Sequence, residues 1–354
     1  MAFMADGRLL VTERPTWDAA DGDNVPVAGK LRIVTQAGAV SSPIAGLPDN
    51  VGLLDVVVDP AFPTTRRVFV TMLEIDKGAP KVGRAAAESA YSPVGLAVAS
   101  GTLDVSGVTP VVRDAKIIWR QSPKITTHPG SGEPGGRMAF SPDGAYLFVT
   151  AGDRQEYFTW PQNPANTAGK VIRIFPDGSI PRDNPFVSQT GAAGEVWTLG
   201  HRNPYGLAFD SAGTLWENEM GPAGGDELNV LVAGGNYGWP LVSNGNGYDG
   251  ADIPDHKPGD GFVAPAVSWT PVIAPGGMII YSGSRFENWR GNAIIAGLQS
   301  KGLVRVQLDG KSAKEVERID LGVRTRAVAQ AADGSIWILE DRPSARLIRL
   351  DPVF

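Results

Sequence analysis

The stretch LAFDSAGTLWENEMGP, from Leu207 to Pro222, decides the fold. An apolar triplet (Leu207, Ala208, Phe209) runs into a turn at Ala212-Gly213, and a second strand-like segment follows. Short apolar segments on both sides of a Gly-bearing turn mark a β-hairpin. The same pattern recurs as AFMADGRLLVTE at Ala2–Glu13, VVVDPAFPTTRRVFVTMLE at Val56–Glu74 and MAFSPDGAYLFVTAGDR at Met138–Arg154. It returns, more degenerate, as MIIYSGSRFENWRGNAIIAGL at Met278–Leu298, and finally as VAQAADGSIWILEDRP at Val328–Pro343. A further alternating strand follows each copy, as in KVIRIFPDG at 170–178 and GLVRVQLDG at 302–310. Six such copies predict an all-β chain folded as a six-bladed β-propeller of four-stranded antiparallel blades, one domain over residues 1–354. The long insertions at Pro15–Gly29, Ile75–Ser92, Thr126–Gly136, Gln155–Ala168 and Val242–Val263 are rich in Gly, Pro, Asn and Asp and read as loops. Loops on one face of such a scaffold build its site.

Composition agrees and narrows the function. Of 354 residues, 44 are Gly and 28 are Pro, natural for many short strands joined by turns. The net charge of -6 argues against a nucleic-acid footprint and favours a small neutral ligand or a bound cation. With no cysteine, disulfides, thiolate zinc sites and cysteine nucleophiles are excluded. No apolar run approaches a membrane span. The chain opens inside a strand-like segment with no leader pattern, and a removed signal peptide and first strand is the expectation, giving a periplasmic or secreted protein.

Working outward from the opening stretch, Glu195–Pro240 gathers residues that are costly to place without a reason. His201, Arg202 and Asn203 stand together before Pro204, and Arg beside Asn suits an anionic or carbonyl-rich ligand. Gly221-Pro222 opens a loop without side-chain bulk, followed by Asp226, Glu227 and Asn229. Carbonyls beside carboxylates are what calcium prefers; a tight turn with a solvated acidic pair is the bland alternative. Arg324 and Arg326 share a strand face, which is costly unless an anion lies between them; a solvated edge is the alternative. Asp153 ends a strand where it could orient a base or simply cap a turn. His128, in a polar Gly-rich loop that also holds Glu133, is a candidate general base, though an exposed histidine without a role is commoner. His256 reads as surface. Asp55, on an apolar strand, reads either as a site residue or as a buried acceptor of backbone N–H groups between blades.

These residues carry a resemblance. GLLDV at 52–56, GGRMAF at 135–140, GDR at 152–154, the GK…IRI…DG…DNPF run at 169–186, GHRNPYGLAFD at 200–210, the GP…GGDE…N run at 221–229 and GGNYGWP at 234–240 are together specific. The chain resembles the soluble aldose sugar dehydrogenases of the glucose/sorbosone dehydrogenase family, which use pyrroloquinoline quinone (PQQ), over essentially its whole length. The resemblance implies a six-bladed propeller and oxidation of an aldose at C1 to a lactone by hydride transfer to the quinone. It implies that Arg202 and Asn203 meet the quinone's carbonyl edge, that the carbonyls of Gly221 and Pro222 hold the cofactor's calcium, and that Arg324 and Arg326 grip cofactor carboxylates. It further implies that Asp226, Glu227 and the Tyr237 carbonyl form a second, structural calcium site, and that Asp153 supports the catalytic base.

The chain departs from the family pattern at three places. Glu133 stands where the family carries its catalytic histidine, so Glu133 or His128 is the expected base. Asn50 stands in place of a glutamine at the cofactor. Gln299 aligns near the family's cofactor lysine, with Lys301 two residues on. A binding propeller of the same family that has lost its base is therefore a second reading, and a calcium-dependent lactonase-type hydrolase a third, on fold analogy. The sugar is expected to be set by the loops at 75–92 and 242–263. The electron acceptor and oligomeric state are not legible.

Overall fold

The computed structural model describes residues 1–14, 28–79, 92–124, 132–155 and 157–352. Each hairpin repeat becomes the two inner strands of one radial sheet, and the strand that follows becomes the third. Blade two holds Leu53–Val58, Arg67–Ile75, Val94–Asp104 and Val111–Arg120, antiparallel and in sequence order. Blade three holds Gly135–Phe140, Leu147–Ala151, Lys170–Ile174 and Val196–Leu199. Blade four holds Pro204–Phe209, Leu215–Glu219, Asp226–Leu231 and Val267–Trp269, and blade five holds Pro275–Ile280, Ala293–Gly297, Gly302–Asp309 and Ser312–Asp320. Among the described residues the first and sixth blades have three strands each: Ala2–Phe3, Leu9–Glu13 and Lys30–Val34, then Thr325–Gln330, Ile336–Glu340 and Leu347–Leu350. The innermost strands touch in a closed ring, with Ala2–Phe3 meeting both Leu53–Val58 and Thr325–Gln330.

Antiparallel order fixes where the loops go. In every blade the innermost strand starts at the same end of the ring, and the second strand returns to it. The links between blades and the loops joining second to third strands therefore share one end. Asn50, Glu133, Asp153, Arg202, Asn203, Gly221, Pro222, Gln299, Lys301 and Arg324 all fall in those connections. One face thus collects residues spread over the whole chain.

A repeated irregularity aims side chains into the central channel. The register of the two inner strands shifts between Leu53 and Val56, Gly135 and Met138, Pro204 and Gly206, Pro275 and Met278, and Thr325 and Ala327. Bulges leave a residue unpaired and re-aim it. Asp55, Arg137, Tyr205 and Arg326 sit in these shifts. The freed backbone groups are recaptured by a buried polar side chain on the second strand, which also reaches the next blade. Thr71 Oγ1 accepts from Asp55 N (2.9 Å) and donates to Gly136 O (2.6 Å). Thr150 Oγ1 accepts from Arg137 N (2.9 Å) and donates to Pro204 O (3.0 Å). Asn218 donates to Gly276 O at 3.2 Å. Asp55 does the same from a carboxylate, Oδ2 accepting Met138 N at 3.1 Å, so the inter-blade acceptor reading holds for it.

Buried aliphatic and aromatic side chains fill the spaces between blades, for example Leu96, Met138, Val149 and Ile172 between blades two and three. Helical segments among the described residues are Phe62–Thr65 and the 3-10 turn Glu287–Trp289, and no helix is long and apolar enough to cross a membrane.

Candidate active site

The site is built on the turn between blades three and four. His201 is wholly buried. Its Nδ1 lies 2.9 Å from Glu219 Oε1, its Nε2 lies 2.8 Å from Thr198 Oγ1, and its ring stacks on Tyr237 at 4.6 Å. Both ring nitrogens are used, so it fixes the turn and is no base. Glu219 also accepts the Arg202 backbone N–H at 2.6 Å. The turn is thereby pinned from below, and the Arg202 side chain projects from a rigid root.

Arg202 organises what surrounds it. Nη1 donates to the carbonyls of Met220 (3.0 Å) and Gly221 (2.7 Å). Nη2 donates to Tyr248 Oη at 3.2 Å and pairs with the Glu133 carboxyl. The guanidinium carbon lies 5.4 Å from the ring centroids of both Trp239 and Tyr248, within cation–π range. Trp239 Nε1 in turn donates to Asp153 Oδ2 at 2.7 Å, and Asp153 N donates to the Arg202 carbonyl at 2.8 Å. Asn203 is buried beside them, with its amide oxygen unpartnered.

Glu133 is held at φ +64° between Gly132 and Pro134. Burial pushes its carboxyl up to about 9, with the neighbouring Asp153 carboxylate adding to the shift and Arg202 opposing it. One Glu133 oxygen is buried without a partner. Sequence reasoning paired Glu133 with His128; His128 lies outside the described residues.

Arg324 and Arg326 do share a face, and the anion between them belongs to the chain. Asp341 Oδ2 accepts from Arg324 (2.9 Å) and Oδ1 from Arg326 (2.9 Å). Burial alone would raise the Asp341 carboxyl, but Arg326 and Arg324 outweigh it and hold it below the usual range. Tyr205 lies between the guanidiniums of Arg326 (5.3 Å) and Arg137 (5.4 Å) and links this pair to the channel.

The acidic pair at 226–227 is split by the strand that carries it. Neighbouring side chains on a strand face opposite ways. Asp226 accepts the backbone N–H groups of Gly221 (2.9 Å), Ile273 (2.8 Å) and Ala274 (2.7 Å). Its carboxylate is a structural clamp on the Gly221-Pro222 loop, turned away from Glu227. Glu227 joins Glu217 and Glu219 instead, the Asn229 amide nitrogen lying 3.2, 3.1 and 3.3 Å from them. Burial, then the Glu219 charge, raises Glu217 and Glu227 well above the usual carboxylate range. One oxygen each of Glu217 and Asn229 is buried without a partner, and His201, Glu217 and Glu219 offer ligand atoms within 4.8 Å of one another. An oxygen-rich buried cluster of this kind suits a hard cation. His256, expected at the surface, instead has its side chain 5% exposed, Nε2 lying 3.9 Å from Glu227. The 247–263 loop folds back over blade four and buries it.

The remaining sequence candidates stand elsewhere on the same end. The Asn50 amide is spent locally, its oxygen accepting Gly29 N (2.9 Å) and Gly52 N (3.2 Å). Gln299 and Lys301 are exposed on the blade-five turn, Lys301 at φ +53°. Sequence reasoning missed Trp239, Tyr248, Asp341, Glu217 and Glu219. GGNYGWP signalled Trp239; nothing in the pattern signalled the other four.

The glucose/sorbosone dehydrogenase family model matches residues 1–349. The chain belongs to this family. It is 36% identical over 366 residues to the aldose sugar dehydrogenase YliI of Escherichia coli, covering 99% of this chain and 89% of that one. A solved glucose dehydrogenase superposes with a TM-score of 0.80 at 35% identity, over 92% of this chain and 91% of that one. The PQQ-bound aldose sugar dehydrogenase of Streptomyces coelicolor superposes with a TM-score of 0.68 at 25% identity, over 99% and 92%.

Proposed function

We propose that the protein oxidises aldoses at C1 to lactones, using PQQ and calcium, and works outside the cytoplasm. The observation that carries this reading is the setting of Arg202, fixed beside Glu133, Asp153 and the Gly221 carbonyl on the loop-bearing end of the ring. The PQQ-bound relative supports the cofactor. When bound, the quinone supplies a hydride acceptor and its calcium the charge that polarises it.

The donor set suits such a group. Arg202 and Asn203, whose amide oxygen is unpartnered, would face its carbonyl edge, and Arg324 and Arg326 would exchange part of their hold on Asp341 for cofactor carboxylates. Gly221 and Pro222 would offer carbonyls to the calcium, after Arg202 Nη1 releases Gly221. Glu133 takes the C1 hydroxyl proton once it has lost its own. Asp153, anchored by Trp239, holds it in place. A structural calcium would sit among Glu227, Glu217, Glu219 and Asn229, a set that replaces the Asp226–Glu227 pair. An arginine-to-alanine change at 202, in protein reconstituted with PQQ and calcium, is expected to cut turnover at least about a hundredfold, the scale of losing one preorganised charge at a reacting centre. Unchanged turnover contradicts this reading.

A binding propeller without turnover is the second reading, favoured by the burial that pushes the Glu133 carboxyl up to about 9. It predicts cofactor binding with no dye reduction by any aldose.

A further inference from the structure

Among the described residues, two aromatic side chains are exposed: Phe158 at 52% and Tyr248 at 68%. Ninety positions apart in sequence, they are joined through Trp239 and Arg202. Phe158 packs against Trp239 with ring centroids 6.2 Å apart, and the Arg202 guanidinium lies within 5.4 Å of both the Trp239 and the Tyr248 rings. Neither ring contributes to a blade core. Exposed aromatic surface beside polar groups is characteristic of a recognition site.

Both rings are carried on braced loops. The Tyr248 loop pairs with the loop after Pro222 through Ala223–Gly224 and Gly245–Asn246. It closes on itself through Gly247 N to Ala251 O (2.8 Å) and Ala251 N to Asp249 Oδ1 (3.0 Å). The Phe158 loop turns at Trp160 N to Tyr157 O (2.8 Å), and Lys170 Nζ clamps the Trp160 carbonyl at 2.8 Å. Preformed aromatic walls lose little entropy on binding.

We infer that Phe158 and Tyr248 are the walls of an aldose subsite above Arg202, receiving the apolar C–H face of a pyranose ring. A pyranose is apolar on its faces and polar around its edge. The faces suit the two rings, while the edge hydroxyls find Glu133, Arg202 and the Tyr248 hydroxyl. Hexoses with equatorial hydroxyls keep both faces clear, so gluco-configured sugars bind better than those with an axial hydroxyl. The inference rests on the aldose reading above and adds the residues that select the sugar.

The test uses the wild type and the variants Tyr248→Ala, Phe158→Ala and Tyr248→Phe. Tryptophan fluorescence of the cofactor-free protein is titrated with glucose and galactose, then KM, kcat and PQQ affinity are measured in the reconstituted enzyme. Each alanine is expected to weaken glucose binding and raise KM by roughly three- to tenfold, with kcat and PQQ affinity held within about twofold. Tyr248→Phe keeps its ring and loses only the hydroxyl that partners Arg202, so its KM is expected to lie between those of wild type and Tyr248→Ala. Unchanged KM in both alanine variants overturns the inference. So does a loss confined to PQQ affinity, which would make the rings a cofactor platform, or a Tyr248→Phe defect as large as alanine's. If no dye is reduced by any sugar, the aldose-oxidation reading fails, while the fluorescence titration still tests the subsite.

Discussion

Glu133 decides how this site handles a proton. A base must be ionised, and burial beside Asp153 raises Glu133 to about 9. Sugar oxidation through Glu133 should therefore climb with pH across the neutral range, reach half its limit near pH 9 and level off only above it, where the carboxylate form prevails. Glu133→His should move the rise down to about pH 6.5 and increase turnover at pH 7. A flat profile from pH 6 to 9 in the wild type would remove Glu133 from the proton path. The sequence showed that a glutamate occupies this position. Its protonation state needed the fold, because Asp153 and Arg202 reach it from 20 and 69 residues away. Arg324 and Arg326 were similar: the strand period gave their shared face, and only the structure supplied Asp341 as the anion between them.

At the scale of elements, the strands Leu215–Glu219 and Asp226–Leu231 carry an unusual load. Their register sets Glu217 opposite Asn229 and Glu219 opposite Glu227, so three carboxyl groups share one buried face. The same pairing that reads as ordinary strand in sequence creates the cluster, which is why no motif announced it. Glu217, Glu227 and Glu133 have folded-state values raised above those of the unfolded chain, and Asp226 is raised to about 6. Groups of that sign give stability that is full below their unfolded values and is lost as pH rises. The cation-free protein should therefore melt at progressively lower temperature from about pH 5 to pH 9. Saturating calcium should flatten that decline, since a bound cation favours the ionised carboxylates. Melting curves in chelator and in calcium check this, and Glu217→Gln should shrink the difference between them. A pH-independent melting temperature in chelator would contradict the charge assignment. Lys170 is a second element-level device. Its ammonium donates to the carbonyls of Trp160, Pro161 and Ala168 at 2.8, 3.0 and 2.7 Å, closing the loop that bears Phe158. Burial lowers its value to about 7, yet three acceptors surround the charge. Lys170→Met should cost about 3 kcal/mol or more, because three buried carbonyls lose their donor together. Thermal unfolding reads the loss, and proteolysis should nick the 155–168 loop first.

For the whole molecule, the propeller was legible because its hairpin repeat survives in sequence, even in the degenerate copy at Met278–Leu298. The gathering of the site on one end follows from antiparallel order alone. The bulges at Asp55, Arg137, Tyr205 and Arg326 were not legible, since a register shift leaves no fixed residue signature. His256 was misplaced because a polar Gly- and Pro-rich loop reads as solvated, and this one packs back on blade four. The central claim is that one end of this ring binds PQQ with calcium and passes electrons from an aldose. The direct test is titration of the cofactor-free protein with PQQ and calcium, then addition of glucose and other aldoses while the quinone absorbance is followed. Saturable binding, followed by bleaching of the quinone with a sugar, is the predicted result. No binding of PQQ in the presence of calcium would contradict it.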